Sequence, residues 1–394
     1  MARVRAISEA DPDSVRSDGP APNSWLSEIA PYVGGAGRLN GAERVLKLSA
    51  NENPMGPSPR ATDAYRRAGD SLGAYPDGSA SALRGAIASV HGIDPDRIVC
   101  GAGSDELIAL LCQAYLAPGD EAVHSEFGFA MYRISTLAAG GRPVVAPETA
   151  LTADVDALLA AVTPRTRLMF LANPNNPTGS YLPESEIRRL IAALPSRVLL
   201  VLDGAYAEYM REPDFIDGLK LVEDTDRLVC TRTFSKIHGL AALRLGWCYA
   251  PSRVVDTLNR VRGPFNVSAP AIAAGEAAIR DVDYAEACAI QNEVWREWLA
   301  NELRRAGIET PRSWGNFLLP FFGQSGPTSA SAADAFLRAN GVIVRRMDSY
   351  GLPGHLRITV GASSDNVAVA RALSEFMSEA ELGKSLPGGA SARP

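Results

Sequence analysis

A single lysine, Lys236, lies between a serine and a glycine-containing turn in residues 231–247, TRTFSKIHGLAALRLGW, eight positions before Arg244. Taken alone, such a lysine is typical of a solvated surface charge. As a neutral amine, it is also the side chain that forms an imine with an aldehyde. The chemical interpretation therefore depends on whether the rest of the chain supplies partners for the same ligand.

Polar residues follow several predicted strands at the point where each strand ends. Asn176 comes after RLMFLAN, within NPNNPTG, and Asp203 closes RVLLVLD and leads to Tyr206. A further strand, IVC, runs into GAGSDE, a turn of small residues that contains Ser104 and opens a helix. Open α/β sheets bind ligands at the carboxyl ends of their strands, and the free amides of a helix start bind phosphate. We expect these side chains to lie near Lys236.

One ligand, pyridoxal 5′-phosphate, accounts for all of them. Its phosphate would suit Ser104 and the turn amides, and its ring nitrogen would suit Asp203. Its ring hydroxyl would suit Asn176 and Tyr206, and its aldehyde would suit Lys236. Each residue also has a structural alternative, because aspartates cap helices and Asn-Pro pairs form turns. Their coincidence favours the cofactor.

At this point the chain resembles the type I pyridoxal-phosphate aminotransferases, and more closely their histidinol-phosphate aminotransferase branch. The resemblance runs from about Tyr32 to the final helix. Its motifs are NENPMGPSP (51–59), AYPDG (74–78), GAGSDE (101–106), NPNNPTG (173–179), DGAYAEY (203–209), TFSKIHGLAALRLGW (233–247) and LRITVG (356–361). It implies an α/β fold in which a large domain with a mostly parallel central sheet, flanked by helices, is joined to a smaller α/β domain.

The resemblance also implies roles for individual residues. Lys236 becomes the lysine that is linked covalently to the cofactor and carries protons in catalysis, and Phe129 stacks on the cofactor ring. The phosphate pocket takes Ser104, Asp105, Thr233, Ser235 and Arg244. Tyr75 resembles a tyrosine that reaches the phosphate in the neighbouring subunit, which implies a homodimer with shared active sites. The substrate-binding residues implied are Tyr32, Asn53 and Arg357.

Two positions depart from the pattern of the branch. Relatives commonly show DEAY where this chain has DGAY, so Gly204 removes a carboxylate. A second anion-binding arginine often follows eleven residues after Arg357, where this chain has Ala368. The latter departure weakens the expectation of a phosphorylated substrate. Arg345 could supply charge from another direction, or it could be a structural or surface arginine.

The composition indicates a small-molecule enzyme. The 394 residues are 46% hydrophobic and 21% charged, with a formal net charge of −6 and 39 scattered Lys and Arg. This balance argues against binding to nucleic acid or to an anionic membrane. Five cysteines without CxxC spacing, and an N-terminus without an apolar run, predict a cytoplasmic protein. The four histidines have no metal-ligand spacing, so we expect no metal site.

Apolar runs alternate with amphipathic ones between residues 98 and 250, which is typical of βα units around a parallel sheet. After Pro270 the pattern becomes helical, and a second, smaller α/β set follows. We predict an N-terminal arm at 1–45, a large cofactor-binding domain at 46–280 whose first residues could pack with the small domain, a small domain at 281–384 and a flexible tail at 385–394.

The leading functional hypothesis is transfer of an amino group between L-histidinol phosphate and 2-oxoglutarate. An aromatic amino acid, phenylalanine or tyrosine, is the alternative donor on the same scaffold. A decarboxylase acting on a phosphorylated amino acid is a weaker alternative. A nicotinamide-dependent oxidoreductase would explain the βα pattern, but its glycine fingerprint would need Gly where the chain has Glu106. A non-catalytic binding protein would not explain the retained set of chemical residues.

Overall fold

The computed structural model describes residues 20–32, 34 and 45–385. Most of the predicted arm and nearly all of the predicted tail lie outside these residues. The strands are β1 (Leu46–Lys47), β2 (Ile98–Gly101), β3 (Glu121–Ser125), β4 (Arg142–Ala146), β5 (Glu148–Thr149), β6 (Thr152–Ala153), β7 (Thr166–Ala172), β8 (Leu199–Asp203), β9 (Leu228–Thr233), β10 (Gly246–Tyr249), β11 (Phe317–Leu318), β12 (Val342–Ile343), β13 (Arg345–Arg346) and β14 (Leu356–Thr359).

The helices are α1 (Pro59–Ala68), α2 (Ser81–His91), α3 (Ser104–Tyr115), α4 (Ala130–Ala138), α5 (Val155–Ala160), α6 (Glu184–Ala193), α7 (Ser252–Val261), α8 (Ala269–Arg280), α9 (Val282–Arg305), α10 (Ala330–Ala339) and α11 (Ser363–Ser385). Short 3-10 helices cover Ser24–Glu28, Gly69–Ser71, Pro95–Arg97, Ala207–Tyr209, Lys220–Asp224, Ala241–Leu243 and Asp348–Tyr350.

Several helices begin where the sequence supplies a capping side chain. Ser58 accepts a hydrogen bond from the amide of Ala61, and Pro59 occupies the first position of α1. Ser268 caps α8 in the same way. The helical pattern after Pro270 forms two helices rather than one, because the backbone leaves helical geometry at Asp281, between α8 and α9.

The central sheet has seven strands in the order β2-β10-β9-β8-β7-β3-β4. All are parallel except β10, which runs antiparallel to both of its neighbours. The prediction of an α/β fold with a mostly parallel central sheet is confirmed. Because most strands share one direction, their carboxyl ends meet along one edge.

Both faces of this sheet are buried, which explains the nearly continuous apolar runs of β7 and β8. Alternate residues such as Met169 and Leu200 pack into the cluster formed with α2 and α8. The intervening residues, such as Phe170 and Val201, pack with α3, α4 and α7 on the other face. The helices therefore hold the sheet rigid beneath its ligand-binding edge.

The C-terminal part forms a second core around an antiparallel sheet of order β11-β14-β13. Buried residues of α9 and α11, including Leu299 and Leu373, pack against Ile358 of β14. Strand β1 pairs in parallel with β12, so the described chain near residue 46 joins this part of the molecule. The domain boundary at 281 stays a prediction.

Candidate active site

Four strands of the central sheet end at one place. Asp203, the last residue of β8, lies opposite Ala172 of β7 and Thr231 of β9. Thr233, at the end of β9, lies opposite Gly246 of β10. Strand β2 ends beside them and leads into α3. The register of the sheet thus gathers the chemical residues that the sequence singles out.

These residues line a cavity of about 370 Å³ between the sheet edge and β13–β14. Twelve of the predicted site residues line it: Tyr32, Ser104, Asp105, Phe129, Asn176, Asp203, Tyr206, Thr233, Ser235, Lys236, Arg244 and Arg357. Two predicted residues, Asn53 and Tyr75, do not line this cavity.

Lys236 lies in the turn that follows β9, and its amine contacts the cavity. The Nζ atom donates to the carbonyl oxygen of Ala50 at 3.3 Å and lies 5.7 Å from the centre of the Tyr206 ring. Burial, reinforced by the positive charge of Arg357, lowers the pKa of Lys236 to about 8. A much larger fraction of this amine is therefore neutral and nucleophilic near neutral pH than of an ordinary lysine.

Asp203 is a buried carboxylate at the end of β8. Its Oδ2 accepts from the hydroxyl of Tyr132 at 2.8 Å, and its Oδ1 accepts from the amide of Ala205 at 3.1 Å. Burial raises the pKa of Asp203, and the hydrogen bond from Tyr132 opposes that rise. Among the described residues no lysine or arginine forms an ion pair with this carboxylate, so a cationic group of a ligand would stabilise it.

Tyr206 and Asn176 contact the same cavity from two loops. The Tyr206 hydroxyl accepts from Nδ2 of Asn51 at 2.9 Å, and burial raises the pKa of Tyr206 to about 12. The phenol therefore keeps its proton and can donate it to an oxygen. The Asn176 side-chain oxygen accepts from Nη1 of Arg357, which leaves the amide N–H groups of Asn176 as donors.

The start of α3 and the side chain of Arg244 meet at the end of β2. No side chain caps α3, whose first residue is Ser104, so its amides remain available to an anion. Arg244 lies across this helix start, and its Nη2 donates to Oδ2 of Asp105 at 3.1 Å. Its Nη1 lies 3.3 Å from Oγ of Ser235. Gly103 has a φ of 92°, which residues with a side chain rarely adopt, and a Cβ there would lie 2.6 Å from the Arg244 guanidinium, so this position favours glycine.

Two arginines lie on the opposite wall of the cavity. Arg357 is buried, with Nη2 donating to the carbonyl oxygen of Ser49 at 3.1 Å, while its Nε is buried without a partner. Arg345 of β13 faces Arg357 of β14 in the antiparallel register and also lines the cavity. The Arg345 guanidinium lies 5.8 Å from the centre of the Tyr32 ring. Two arginines and a tyrosine therefore converge on one end of the cavity.

The comparisons with known proteins agree with this geometry. The model of the family "Aminotransferase class I and II" matches residues 43–376. The chain belongs to that family. It is 55% identical over 359 residues to a histidinol-phosphate aminotransferase of Dinoroseobacter shibae, a match that covers 91% of this chain and 98% of that one. It is 52% identical over 358 residues to one of Paramagnetospirillum magneticum, covering 91% and 99%.

Solved structures give the same result. A histidinol-phosphate aminotransferase from Sinorhizobium meliloti, in complex with pyridoxal-5′-phosphate, has a TM-score of 0.85 at 28% identity, covering 92% of this chain and 99% of that one. An aspartate aminotransferase from Thermus thermophilus has a TM-score of 0.78 at 21% identity, covering 91% and 99%, and shows the shared fold alone. The prediction of an aminotransferase is confirmed.

The two predicted residues outside the cavity of this aminotransferase have other contacts. The Asn53 amide donates to the carbonyl oxygen of Ile237 at 2.7 Å and contacts Sγ of Cys288 at 3.2 Å. Asn53 therefore ties the lysine-bearing turn to α9. Tyr75 is 83% exposed, and its ring stacks on Phe265 with centroids 4.7 Å apart. The predicted role of Tyr75, which is to reach the phosphate in a neighbouring subunit, requires a residue at the molecular surface.

Both departures from the branch pattern have a structural account. Ala368 lies on an exposed face of α11 and does not line the cavity. Arg345 does line the cavity and lies opposite Arg357 in the sheet. At Gly204, the buried side chain of Arg232 fills the space that a side chain would need. Arg232 donates to the carbonyl oxygen of Asp217 at 2.9 Å and lies 3.8 Å from the carboxylate of Glu208.

Two residues that hold the site are not predicted from the sequence. Asn51 adopts a left-handed conformation with φ of 56°, and its amide binds Tyr206. The motif NENPMGPSP contains Asn51, but the resemblance singles out Asn53 within it. Tyr132 binds Asp203 from α4, where no sequence signal distinguishes it from a core tyrosine. His238, which follows Lys236 by two residues, is buried against Phe234 and does not line the cavity.

The described residues fit pyridoxal 5′-phosphate. A buried carboxylate, Asp203, suits a cationic ring nitrogen, and the uncapped start of α3 with Arg244 suits a phosphate. Lys236 offers an amine with a lowered pKa, and Phe129 offers an aromatic face beside the cavity. Among the described residues no cluster of side chains could hold a metal ion.

Proposed function

We propose that this aminotransferase interconverts L-histidinol phosphate and 2-oxoglutarate with imidazole-acetol phosphate and L-glutamate, using pyridoxal 5′-phosphate. Relatives named histidinol-phosphate aminotransferase, 55% and 52% identical over 91% of the chain, support the substrate. The observation that carries the proposal is the pair Arg345 and Arg357, which face one cavity that also contains the Lys236 amine. This cavity can hold an anionic group at a distance from the reacting amine.

The cofactor would be held at both ends by residues at the carboxyl edge of the central sheet and in the turns that follow it. Arg244, Ser235 and the amides of the α3 start would bind its phosphate, and Asp203 would bind its ring nitrogen. Tyr206 and Asn176 would donate hydrogen bonds to its ring hydroxyl. When bound, the cofactor supplies an aldehyde that accepts the amino group and a cationic ring that stabilises negative charge at the substrate Cα.

Lys236 performs the proton transfer. Its Nζ, with a pKa of about 8, takes a proton from the Cα of the amino donor as a general base and returns it as a general acid. A lysine with the ordinary pKa of 10.5 would be almost wholly protonated at pH 7 and poor at the first task. Burial of Nζ and the charge of Arg357 thus tune the residue for both tasks.

Asp203 orients and stabilises the charged ring nitrogen. Its carboxylate is fixed by Tyr132 and by the amide of Ala205, so it need not reorganise when charge develops nearby. A cation beside it would also lower its pKa, which burial alone raises.

The arginine pair explains how one site serves two substrates. The unpartnered Nε of Arg357, the guanidinium of Arg345 and the hydroxyl of Tyr32 can bind a phosphate or a carboxylate. The phosphate of histidinol phosphate and a carboxylate of glutamate would occupy this end in alternate half-reactions. With Arg345 in this place, Ala368 no longer weakens the case for a phosphorylated donor.

The same proposal includes a homodimer with shared active sites. Tyr75 and Phe265 form an exposed aromatic pair, 83% and 46% exposed, which a second copy of the chain would cover. Large aromatic rings are enriched at protein interfaces and are seldom left in water in such pairs. In this arrangement Tyr75 would complete the phosphate pocket of the partner subunit.

We also place the protein in the cytoplasm, on the basis of its cysteines. All five are buried and unpaired, and burial raises the pKa of the Cys100, Cys112 and Cys230 thiols to about 12. Such thiols behave as small apolar groups and suit a reducing compartment. Among the described residues, none of the helices has both the length and the apolar character that crossing a membrane requires.

The substrate is tested by measuring kcat/KM for L-histidinol phosphate, phenylalanine, tyrosine and histidine with 2-oxoglutarate as acceptor. We expect histidinol phosphate to be preferred, with Arg345→Ala lowering its kcat/KM more than that of phenylalanine, because a phosphate carries more negative charge than the carboxylate of phenylalanine. If an aromatic amino acid exceeds histidinol phosphate tenfold, which corresponds to about 1.4 kcal/mol in transition-state binding, the histidinol phosphate assignment is refuted.

A further inference from the structure

The turn that would bind the cofactor phosphate is held by a hydrogen bond to Glu106, whose side chain does not line the cavity. This residue is the third residue of α3, and its Oε2 accepts from the amide of Ala102 at 2.6 Å. The backbone amide of Ala102 is therefore occupied by this hydrogen bond, while the backbone amides at the start of α3 remain available to an anion. The carboxylate thus withholds the Ala102 amide from an anion, while the Gly103 amide donates to the carbonyl oxygen of Gly101 at 2.8 Å.

The same carboxylate oxygen is shared with a second segment of the chain. Oε2 of Glu106 also accepts from Nδ2 of Asn266 at 2.7 Å. Nδ2 further lies 3.3 Å from the carbonyl oxygen of Cys100, and Oδ1 of Asn266 accepts from Nη1 of Arg262 at 3.2 Å. One oxygen therefore joins the phosphate-binding turn to residues 263–266.

Residues 263–266 lead directly to the exposed aromatic pair. Phe265 precedes Asn266 and stacks on Tyr75. A Cβ on Gly78 would lie 2.4 Å from the carbonyl oxygen of Pro264, closer than real side chains approach a backbone oxygen. Residues 75–78 and 263–266 are consequently packed so closely that a side chain at position 78 would not fit between them. A displacement of residues 263–266 would be felt both at Tyr75 and at the phosphate-binding turn.

We propose that Glu106 is a positioning residue that, through Asn266, fixes the phosphate-binding turn to the surface segment 263–266. Its side chain does not line the cavity, and it acts by holding the Ala102 amide and the Asn266 side chain in register. The inference rests on the proposed function, because it assigns the turn to the cofactor phosphate. Its chemistry is hydrogen bonding by an oxygen acceptor, not negative charge.

The test compares Glu106→Ala and Glu106→Gln with the unmodified protein. Glutamine keeps an oxygen acceptor but removes the charge, so it separates the two contributions. The control is Glu186→Ala, which removes an acidic residue from the third position of α6, where it pairs with Arg189 away from the cavity. Each protein is stripped of cofactor and titrated with pyridoxal 5′-phosphate by visible absorbance, and the melting temperature of the cofactor-free form is recorded.

We expect Glu106→Ala to raise the dissociation constant of the cofactor at least tenfold, Glu106→Gln to raise it less than threefold, and Glu186→Ala to leave it unchanged. Asn266→Ser should resemble Glu106→Ala, and the double variant should be no weaker than either single one, because both remove the same link. This second variant carries the test if Glu106→Ala does not fold.

Two results would overturn the positioning role alone. One is unchanged cofactor affinity in Glu106→Ala with a lowered melting temperature, which is the signature of a purely structural residue. The other is an equal loss in Glu106→Gln and Glu106→Ala, which would assign the effect to charge. Failure of the unmodified protein to bind pyridoxal 5′-phosphate would overturn the proposed function and the positioning role together.

Discussion

The contact between Gly204 and Arg232 gives a sharp prediction about stability. A Cβ at position 204 would meet Nη1 of Arg232 far inside 3.0 Å, a separation that real Cβ atoms essentially never show. The backbone of Gly204 is not among the residues with positive φ, so alanine is conformationally allowed there. Gly204→Ala should therefore be destabilising chiefly because it displaces the Arg232 side chain, with a smaller contribution from Cβ of Ala207 at 3.3 Å.

The magnitude follows from what Arg232 contacts. Its side chain is 2% exposed and lies 3.5 Å from a carboxylate oxygen of Asp217 and 3.8 Å from one of Glu208. Breaking a fully buried ion pair costs about 3–5 kcal/mol, and overpacking alone costs about 1–3 kcal/mol. Because Asp217 is 41% exposed and water can replace part of its interaction, we expect Gly204→Ala to lower the free energy of unfolding by about 2–4 kcal/mol.

The assay is a double-mutant cycle with Arg232→Met, which keeps an unbranched stem and removes the guanidinium. In that background the alanine methyl has room, and replacing glycine should be neutral or stabilising by up to about 1 kcal/mol. Glu208 would tolerate the loss of Arg232, because burial raises its pKa to about 7 and it can become neutral. Unfolding of the cofactor-free proteins in urea gives the four free energies.

Gly85→Ala is the matched control, since Gly85 lies in α2 with no neighbouring atom within 4 Å of where a Cβ would lie, and it should gain stability from the better helix former. The reasoning would be refuted if Gly204→Ala were as benign as Gly85→Ala. It would equally be refuted if the loss at Gly204 were the same with arginine and with methionine at 232.

Three further predictions concern the site. The pKa of Lys236 is lowered to about 8, and the neutral amine is the form that reacts. The rate at which the cofactor-free protein captures pyridoxal 5′-phosphate, followed by stopped-flow absorbance, should therefore rise with pH and level off just above pH 8; continued acceleration to pH 10 would contradict this. Lys236→Ala should lose both turnover and the visible absorbance band of the bound cofactor. Asp203→Asn should still bind the cofactor but lower kcat by at least about 100-fold, as loss of a preorganised charge does; an affinity defect with a normal kcat at saturation would make Asp203 merely structural. Mixing Tyr75→Ala and Lys236→Ala subunits should regenerate activity in hybrid dimers, and absence of activity in dimers shown to have exchanged would argue against shared sites.

The sequence predicted the part of the site that depends on local pattern. Asp203 and Asn176 follow buried strands, and parallel strands bring such ends together whatever the details of packing. The start of α3 is likewise local, because glycine, serine and an acidic first turn mark a helix start. These residues could be predicted because their positions depend on the direction of the strands and much less on the order of the strands in the sheet.

Residues that depend on contacts between distant segments were not predictable in this way. The side-chain amide of Asn51 donates to Tyr206, which is 155 positions away in the sequence. The backbone N–H of Asn51 donates to Thr359, which is 308 positions away. No periodicity reports such contacts. Tyr132 has the spacing of a buried helical residue in α4, and only the three-dimensional structure directs its hydroxyl to Asp203.

The two departures from the branch pattern show the same limit in another form. The expectation of an arginine at position 368 used distance along the chain from Arg357, whereas the strand register places Arg345 directly opposite Arg357. From the sequence, Gly204 was interpreted as the loss of a carboxylate. In the structure, Arg232 near the end of the neighbouring strand β9 occupies the space that a side chain at position 204 would need. In both cases the residue that accounts for the departure is a neighbour across a sheet and is not found from the spacing of the motif.

The electrostatics of the cavity explain why these separate contacts amount to a cofactor site. Burial lowers the pKa of Lys236 and Arg357 and raises that of Asp203, so in each case the charged form is less stable than it would be in water. A ligand with a cationic ring nitrogen would stabilise the Asp203 carboxylate, and a substrate anion would stabilise the Arg357 guanidinium. Lys236 differs, because condensation with an aldehyde requires the neutral amine that burial already favours. The same desolvation therefore prepares one residue to react and two others to bind, which requires only that the groups lie in one cavity at the ends of adjacent strands.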